Sequence, residues 1–180
     1  MMKREVEIDP KKFREGNISL ILDSYDDIFS DFDPRPFAFK GVSDDFLLEC
    51  KKATLDKNNE IELRLLVPRN KRDIHDEVKI KKRLREYFHK HFKEREREIE
   101  KIKVAGFFWF FGGVLMMVLG IFLMSYTAFL FKVLMIMVEP AGWFFFWEGL
   151  GKVFIHSKEK VPDFSFYKKM STAQINFVDY

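Results

Sequence analysis

The chain has 180 residues, 31 Lys and Arg against 28 Asp and Glu, and a formal net charge of +3. Hydrophobic residues make up 47% of the chain, which excludes an intrinsically disordered protein. A single cysteine excludes a disulfide framework and a cysteine-based zinc site. Although 33% of the chain is charged, residues 104–131 carry no charge, which excludes an ordinary soluble globular domain.

Residues 1–73 are predicted to form a small α/β (α+β) cytosolic domain. The chain begins with MMKREVEIDP, and because no apolar stretch follows this basic start, we expect no cleavable signal peptide. The segment NISLIL (17–22) is predicted to be a short buried strand. Ser43 is a candidate N-cap for a helix that ends near Leu55. One face of this helix carries the apolar side chains Phe46, Leu47, Cys50 and Ala53.

A second strand is predicted at residues 60–67, after a turn at Asn58-Asn59. There Ile61, Leu63 and Leu65 alternate with Glu62 and Arg64, and Pro68 ends the strand.

The loop at residues 23–36 is rich in aspartate and supplies the candidate metal ligands of the chain. Clustered carboxylates suit hard cations such as Ca²⁺ or Mg²⁺. The EF-hand pattern is missing, however, and the interspersed Phe and Ile are typical of a loop packed onto its domain. The alternative is therefore structural, with the carboxylates capping turns or pairing with Arg35. The five carboxylates are Asp23, Asp26, Asp27, Asp31 and Asp33.

A long helix is predicted to begin after Asp73 and to continue without a breaker into the charge-free run. Residues 74–103 would form a cytosolic stalk that lifts part of the domain about 40 Å from the bilayer. Its basic segment, 79–93, is expected to contact anionic lipid, and nucleic acid is not an expected partner. The predicted apolar seam is Val78, Leu84, Phe88, Phe92, Ile99 and Ile102.

Two apolar segments are predicted to be transmembrane helices, at 104–124 and 128–151, joined by an external turn at 125–127. Each is long enough for a hydrocarbon core of about 30 Å, and the short connection predicts a tight antiparallel hairpin. The alternative is a single span from 104 to 131 followed by an interfacial helix.

The basic flanks predict that both termini lie in the cytoplasm. Residues 69–103 contain 14 Lys and Arg against 8 Asp and Glu, five lysines follow the second span, and the turn is uncharged. The tail, 152–180, is therefore cytosolic, and its alternating residues 173–177 are predicted to add a strand to the α/β domain.

Small residues recur every seven positions in both predicted spans and are candidates for helix packing. Within a hairpin, Gly113 would lie level with Gly142 and Gly106 level with Gly149. Packing between subunits is the alternative use. The aromatic runs 107–111 and 143–147 would face the cytoplasmic leaflet, with Trp109 level with Trp143. The glycines are Gly106, Gly113, Gly120, Gly142 and Gly149.

Charged residues in the second span are the intramembrane functional candidates. Glu139 lies near mid-bilayer, where a carboxylate is costly and indicates function by default, and Pro140 favours a kink beside it. Lys132, seven residues earlier, shares its helix face and can snorkel outward. Ion or proton handling and a protonated, hydrogen-bonded Glu139 remain open alternatives. Glu148 is expected to be an interfacial carboxylate.

No catalytic or cofactor-binding residue and no cofactor is predicted. The four histidines, His75, His89, His91 and His156, form no recognisable metal motif, and nucleotide-binding and nucleophile motifs are missing. Cys50 is expected to be a buried structural thiol.

Two segments, SYDDIFSDFDPRPF (24–37) and EPAGWFFFWEGL (139–150), resemble an uncharacterised family of small prokaryotic two-span membrane proteins. The resemblance implies the same two-span layout in a prokaryotic cell membrane. It implies no activity and supplies no site residue.

The sequence thus predicts a membrane α-helical hairpin with two transmembrane helices, plus a small cytosolic domain on a long helix stalk. The predicted function is an oligomerising membrane scaffold or sensor, with the bilayer, further copies of the chain and a cytosolic protein as partners. An oligomeric ion channel or transporter component with Glu139 on the pathway is the alternative. A membrane-anchored enzyme comes third, because the sequence contains no catalytic constellation.

Overall fold

The computed structural model describes residues 17–55 and 61–180. The first sixteen residues and the turn predicted at Asn58-Asn59 lie outside these ranges. The chain is mostly helical, with two long apolar helices and a small three-stranded parallel sheet. It divides into two compact units, residues 17–55, 61–92 and 166–180 in the first and residues 93–165 in the second.

Three strands and five helices make up the described chain. The strands are β1 (Asn17–Ile21), β2 (Glu62–Val67) and β3 (Gln174–Asp179). The helices are α1 (Asp44–Thr54), α2 (Ile74–Leu123), α3 (Phe129–Gly151), α4 (Ser157–Glu159) and α5 (Val161–Thr172). Short 3-10 turns lie at Tyr25–Ile28 and Arg69–Lys71, and a π-helical turn lies at Lys152–His156.

The sheet of the first unit has the order β1-β2-β3, with both pairs of strands parallel. The strand predicted at the C-terminus is present and pairs with β2, so residues from the two ends of the chain meet in one sheet. In β2 the predicted alternation is observed, with Leu63, Leu65 and Val67 fully buried and Glu62 paired with Arg64 at 2.9 Å. This alternation places one face of β2 in the core.

Helix α1 packs its predicted apolar face into the same core. Phe46, Leu47 and Cys50 are buried and Ala53 is partly buried. Ser43 is the N-cap residue, but its side chain makes no capping hydrogen bond, and only its carbonyl accepts from the amide of Leu47, at 3.1 Å.

The seam of α2 in the first unit differs by one residue from the prediction. Leu84 and Phe88 are buried as expected, but Val78 is 62% exposed and Ile80 is fully buried. Adjacent helical residues point about 100° apart, so a seam through Glu77, Ile80, Leu84 and Phe88 turns Val78 outward. Asp73 caps this helix, because its carboxylate accepts from the amide of His75 at 2.7 Å.

Two helices are long and apolar enough to cross a membrane. One is α2, which is unbroken over 50 residues. The other begins with α3 and continues through the π-helical turn and α4, so that Phe129–Glu159 is helical throughout. Helix α5 follows and brings Phe166, Tyr167 and Met170 into the core of the first unit. The sequence pattern did not predict this helix.

Candidate functional site

Close packing of glycines joins the second half of α2 to α3. A Cβ atom added to Gly113 would lie 2.7 Å from the carbonyl oxygen of Gly142, and one added to Gly149 would lie 2.7 Å from that of Gly106. Because these pairs are ordered oppositely along the two helices, the helices run antiparallel here. Only glycine permits such an approach of two helix backbones.

Gly120 lies in a different environment from the other packing candidates. No atom of a neighbouring helix in the described chain lies within 4 Å of the position that a Cβ would occupy on Gly120. The two helices therefore separate between the Gly113–Gly142 contact and the connecting turn.

The space that this separation leaves is a groove of about 560 Å³. Among the described residues, Glu139 is the only ionisable side chain that lines it. Residues of α3 one turn apart form one wall, and residues of α2 form the other. The lining residues are Met117, Gly120, Ile121, Met124, Met135, Glu139, Pro140 and Trp143.

Glu139 is exposed on the surface of the helix pair and followed by Pro140, which has no N–H to donate within α3. Lys132 is also exposed and does not line the groove with Glu139. The structure thus joins Glu139 to Pro140 and Gly120 in one groove and leaves Lys132 outside it.

Aromatic side chains pack between the helices beyond the glycine contacts. The ring of Trp109 meets the ring of Phe145 edge to face at 4.8 Å and that of Phe144 at 6.2 Å, whereas Trp143 stacks on Phe146. The contacts of Gly113 with Gly142 and of Gly106 with Gly149 place Trp109 level with Phe146, three residues from the predicted Trp143. Lys152, paired with Glu148, also lies over the Trp109 ring.

The aspartate-rich loop is held by its own carboxylates. Asp27 accepts from the amides of Asp23 and Ser24, and Asp26 pairs with Lys40 at 2.7 Å. Asp33 forms a bidentate pair with Arg35 and accepts from the amide of Gly41 at 2.6 Å. The hydrogen bonds from Arg35 hold the pKa of Asp33 well below its usual value.

These contacts give the carboxylates of Asp26, Asp27 and Asp33 structural roles. Across residues 17–55 and 61–180, no three His, Cys, Asp or Glu side chains lie close enough together to hold a metal ion. The five candidate aspartates are therefore not gathered into one site, and the described histidines form none.

A buried ionic group at the carboxyl end of the sheet was not predicted from the sequence. Glu77 is 5% exposed and receives two hydrogen bonds from Arg72, at 2.8 and 3.1 Å, and one from the hydroxyl of Tyr25 at 3.1 Å. Burial raises the pKa of Tyr25. Arg72 also reaches the carbonyl of Phe177, so the group ties the segments that follow β1 and β2 to β3 itself. Its polar atoms are satisfied, which is typical of a structural network.

Cys50 is fully buried, as expected, and desolvation raises the pKa of its thiol to about 12. Such a thiol is not poised as a nucleophile.

Comparisons with known proteins found no matching family model, and neither a curated protein nor a solved structure was found to be similar to the chain.

Proposed function

We propose that the protein is an integral membrane protein in which α2 and α3 form a transmembrane helical hairpin. The support is the apolar surface that both helices present over their charge-free parts, where exposed Phe, Leu, Ile and Met side chains lie outside the glycine contacts. Helices that are hydrophobic all round are typical of membrane spans. The basic residues that flank the hairpin favour a cytoplasmic location for both termini and for the sheet. A prokaryotic cell membrane is the proposed location on the resemblance described above.

We further propose that the hairpin self-associates, and that the protein acts as a membrane scaffold or sensor. The observation that carries this proposal is the position of Glu139 in an otherwise apolar groove. A charged carboxylate at the centre of a span costs about 2.5–3.5 kcal/mol on insertion scales, so such a group is expected to be covered by another helix that offers it a hydrogen bond.

A second copy of the chain is the occupant that fits this groove. Two copies in the same orientation bring identical residues to the same depth, so two protonated Glu139 side chains can hydrogen-bond across a two-fold axis. The open space at Gly120 allows a helix of the second copy to approach closely. Self-association would then bring the sheets of two or more copies together.

A cytosolic protein is the proposed further partner. The loop between β1 and α1 exposes two phenylalanines, Phe32 at 97% and Phe39 at 65%. Aromatic side chains are enriched at protein interfaces, so these residues are the proposed contacts.

An oligomeric ion channel or transporter component is the second candidate, favoured by the same carboxylate. Two helices cannot enclose a polar path, so this function requires several copies with Glu139 facing a common interior. Ion flux into liposomes that is lost in Glu139→Gln would support it.

The oligomeric mass of the detergent-purified protein, measured by native mass spectrometry, tests the proposal. We expect wild-type oligomers that dissociate in Gly120→Leu, because the new side chain fills the groove. Gly112→Leu is the matched control, since no neighbouring atom in the described chain lies within 4 Å of its Cβ position either. A monomeric wild type, or equal masses for both variants, would contradict the proposal.

A further inference from the structure

One stripe along α2, where its charged part meets its charge-free part, carries basic side chains followed by exposed apolar side chains. Arg97 and Lys101 lie one turn apart, and Val104, Ala105 and Phe108 continue the same stripe over the next two turns. Together with Glu100 they line a shallow depression of about 430 Å³. At 1.5 Å per residue the stripe is about 16 Å long.

The two carboxylates on either side of Arg97 in the sequence, Glu96 and Glu98, are engaged by other cations. Glu96 pairs with Lys93 at 2.7 Å. Glu98 receives hydrogen bonds from Arg95 at 2.6 Å and from Lys160 at 2.9 Å, and the bond from Lys160 lowers the pKa of Glu98. These pairs leave the carboxylates little capacity to neutralise the stripe.

By contrast, Arg97 and Lys101 form no ion pair with any residue in the described ranges. Lys103 is likewise without an ion pair there and lines an adjoining depression with Ile99 and Phe107. Glu96 is paired with Lys93, so among the lining residues only Glu100, which borders both depressions, offsets the charges of Arg97, Lys101 and Lys103. The net charge of the two depressions is therefore positive.

We propose that this stripe binds one anionic phospholipid of the cytoplasmic leaflet, an inference that rests on the proposed membrane placement of α2. The guanidinium of Arg97 binds the headgroup phosphate in a bidentate manner, and Lys101 adds a point charge. One acyl chain lies along Val104 and Phe108, whose side chains are 47% and 76% exposed. Free phosphate has no acyl chain that could cover these apolar side chains, which favours a lipid as the source of the anion.

The test is native mass spectrometry of the full chain, titrated in mild detergent with phosphatidylglycerol or with phosphatidylcholine. We expect one phosphatidylglycerol to bind selectively and excess inorganic phosphate not to displace it. The double variant Arg97→Gln/Lys101→Gln should weaken binding about thirtyfold, the effect of removing two basic residues from an anionic membrane surface. The charge-preserving variant Arg97→Lys/Lys101→Arg should retain most of the binding.

The matched control is Lys52→Gln/Arg69→Gln, which removes the same charge from two exposed positions of the first unit that lie outside α2. If both double variants lose binding equally, or if inorganic phosphate competes, the proposed lipid site is wrong. Flotation of the protein with lipid vesicles measures membrane insertion separately, and so distinguishes an error in the lipid site from an error in the proposed membrane placement. A protein that inserts into vesicles without selecting phosphatidylglycerol contradicts only the lipid site, whereas one that does not insert contradicts both.

Discussion

Replacing Gly113 by alanine is expected to force α2 and α3 apart. The added methyl group would lie 2.7 Å from the carbonyl oxygen of Gly142 and 2.9 Å from the Cα atom of Phe146. Both are backbone atoms of α3, so no side-chain rotation can relieve the overlap. Gly112, the preceding residue, has open space at the same position and provides a control in the same helix.

The magnitude follows from two opposing effects. Alanine improves helix propensity over glycine by about 1 kcal/mol, and this gain is the same at both positions. Overpacking costs typically about 1–3 kcal/mol and applies only to Gly113→Ala. The difference between the variants is therefore about 1–3 kcal/mol, which corresponds to roughly a 5- to 150-fold change in the unfolding equilibrium.

Unfolding of the purified protein by increasing mole fractions of a denaturing detergent, followed by circular dichroism, measures this difference. Gly112→Ala should match or exceed the stability of the wild type, and Gly113→Ala should be less stable than Gly112→Ala. Equal stability of the two variants would refute the close glycine packing.

Three further predictions concern the first unit. Glu77→Gln should lower the free energy of unfolding by about 2 kcal/mol, because it leaves the guanidinium of Arg72 with only the more exposed carboxylate of Asp179, at 3.5 Å; thermal unfolding of the full chain measures this loss, and an unchanged melting temperature would contradict it. Because folding lowers the pKa of Asp33, its carboxylate stabilises the folded protein above its ordinary pKa of 3.8, and this stabilisation is lost as the pH falls further. Asp33→Asn should remove this part of the pH dependence, so its melting temperature should fall less between pH 5 and pH 3 than that of the wild type, and an equal fall would contradict the prediction. Cys50 should react with a maleimide only after unfolding, and rapid labelling of the native protein would show that the thiol is accessible.

Local periodicity was sufficient to predict most elements of the fold. The alternation at Ile61, Leu63 and Leu65 has a period of two that only a strand places on one face. Residues 74–103 contain neither glycine nor proline, which predicted a helix that continues into the charge-free run, and the structure has one continuous helix of 50 residues. The spacing of seven between glycines indicated a shared helix face.

Features that depend on long-range contacts were beyond the sequence pattern. Glutamate is normally a surface residue, so the sequence pattern gives no sign that Glu77 is buried. Tyr25, which is 52 residues away in the chain, donates a hydrogen bond to its carboxylate and so helps to satisfy it in the core. Likewise, the spacing of seven residues from Gly113 places Gly120 on the same face of α2, but it does not give the distance to α3. The groove beside Glu139 depends on that distance and could not be predicted from the sequence.

The central claim, a two-span hairpin with both termini on the cytoplasmic side, is tested most directly by labelling single cysteines in intact cells. In a Cys50→Ala background, Thr127→Cys marks the turn between α2 and α3, and Ser171→Cys marks the C-terminal segment. A membrane-impermeant maleimide should label the first variant in intact cells and the second only after the membrane is permeabilised. Labelling of both variants, or of neither, in intact cells would contradict the hairpin.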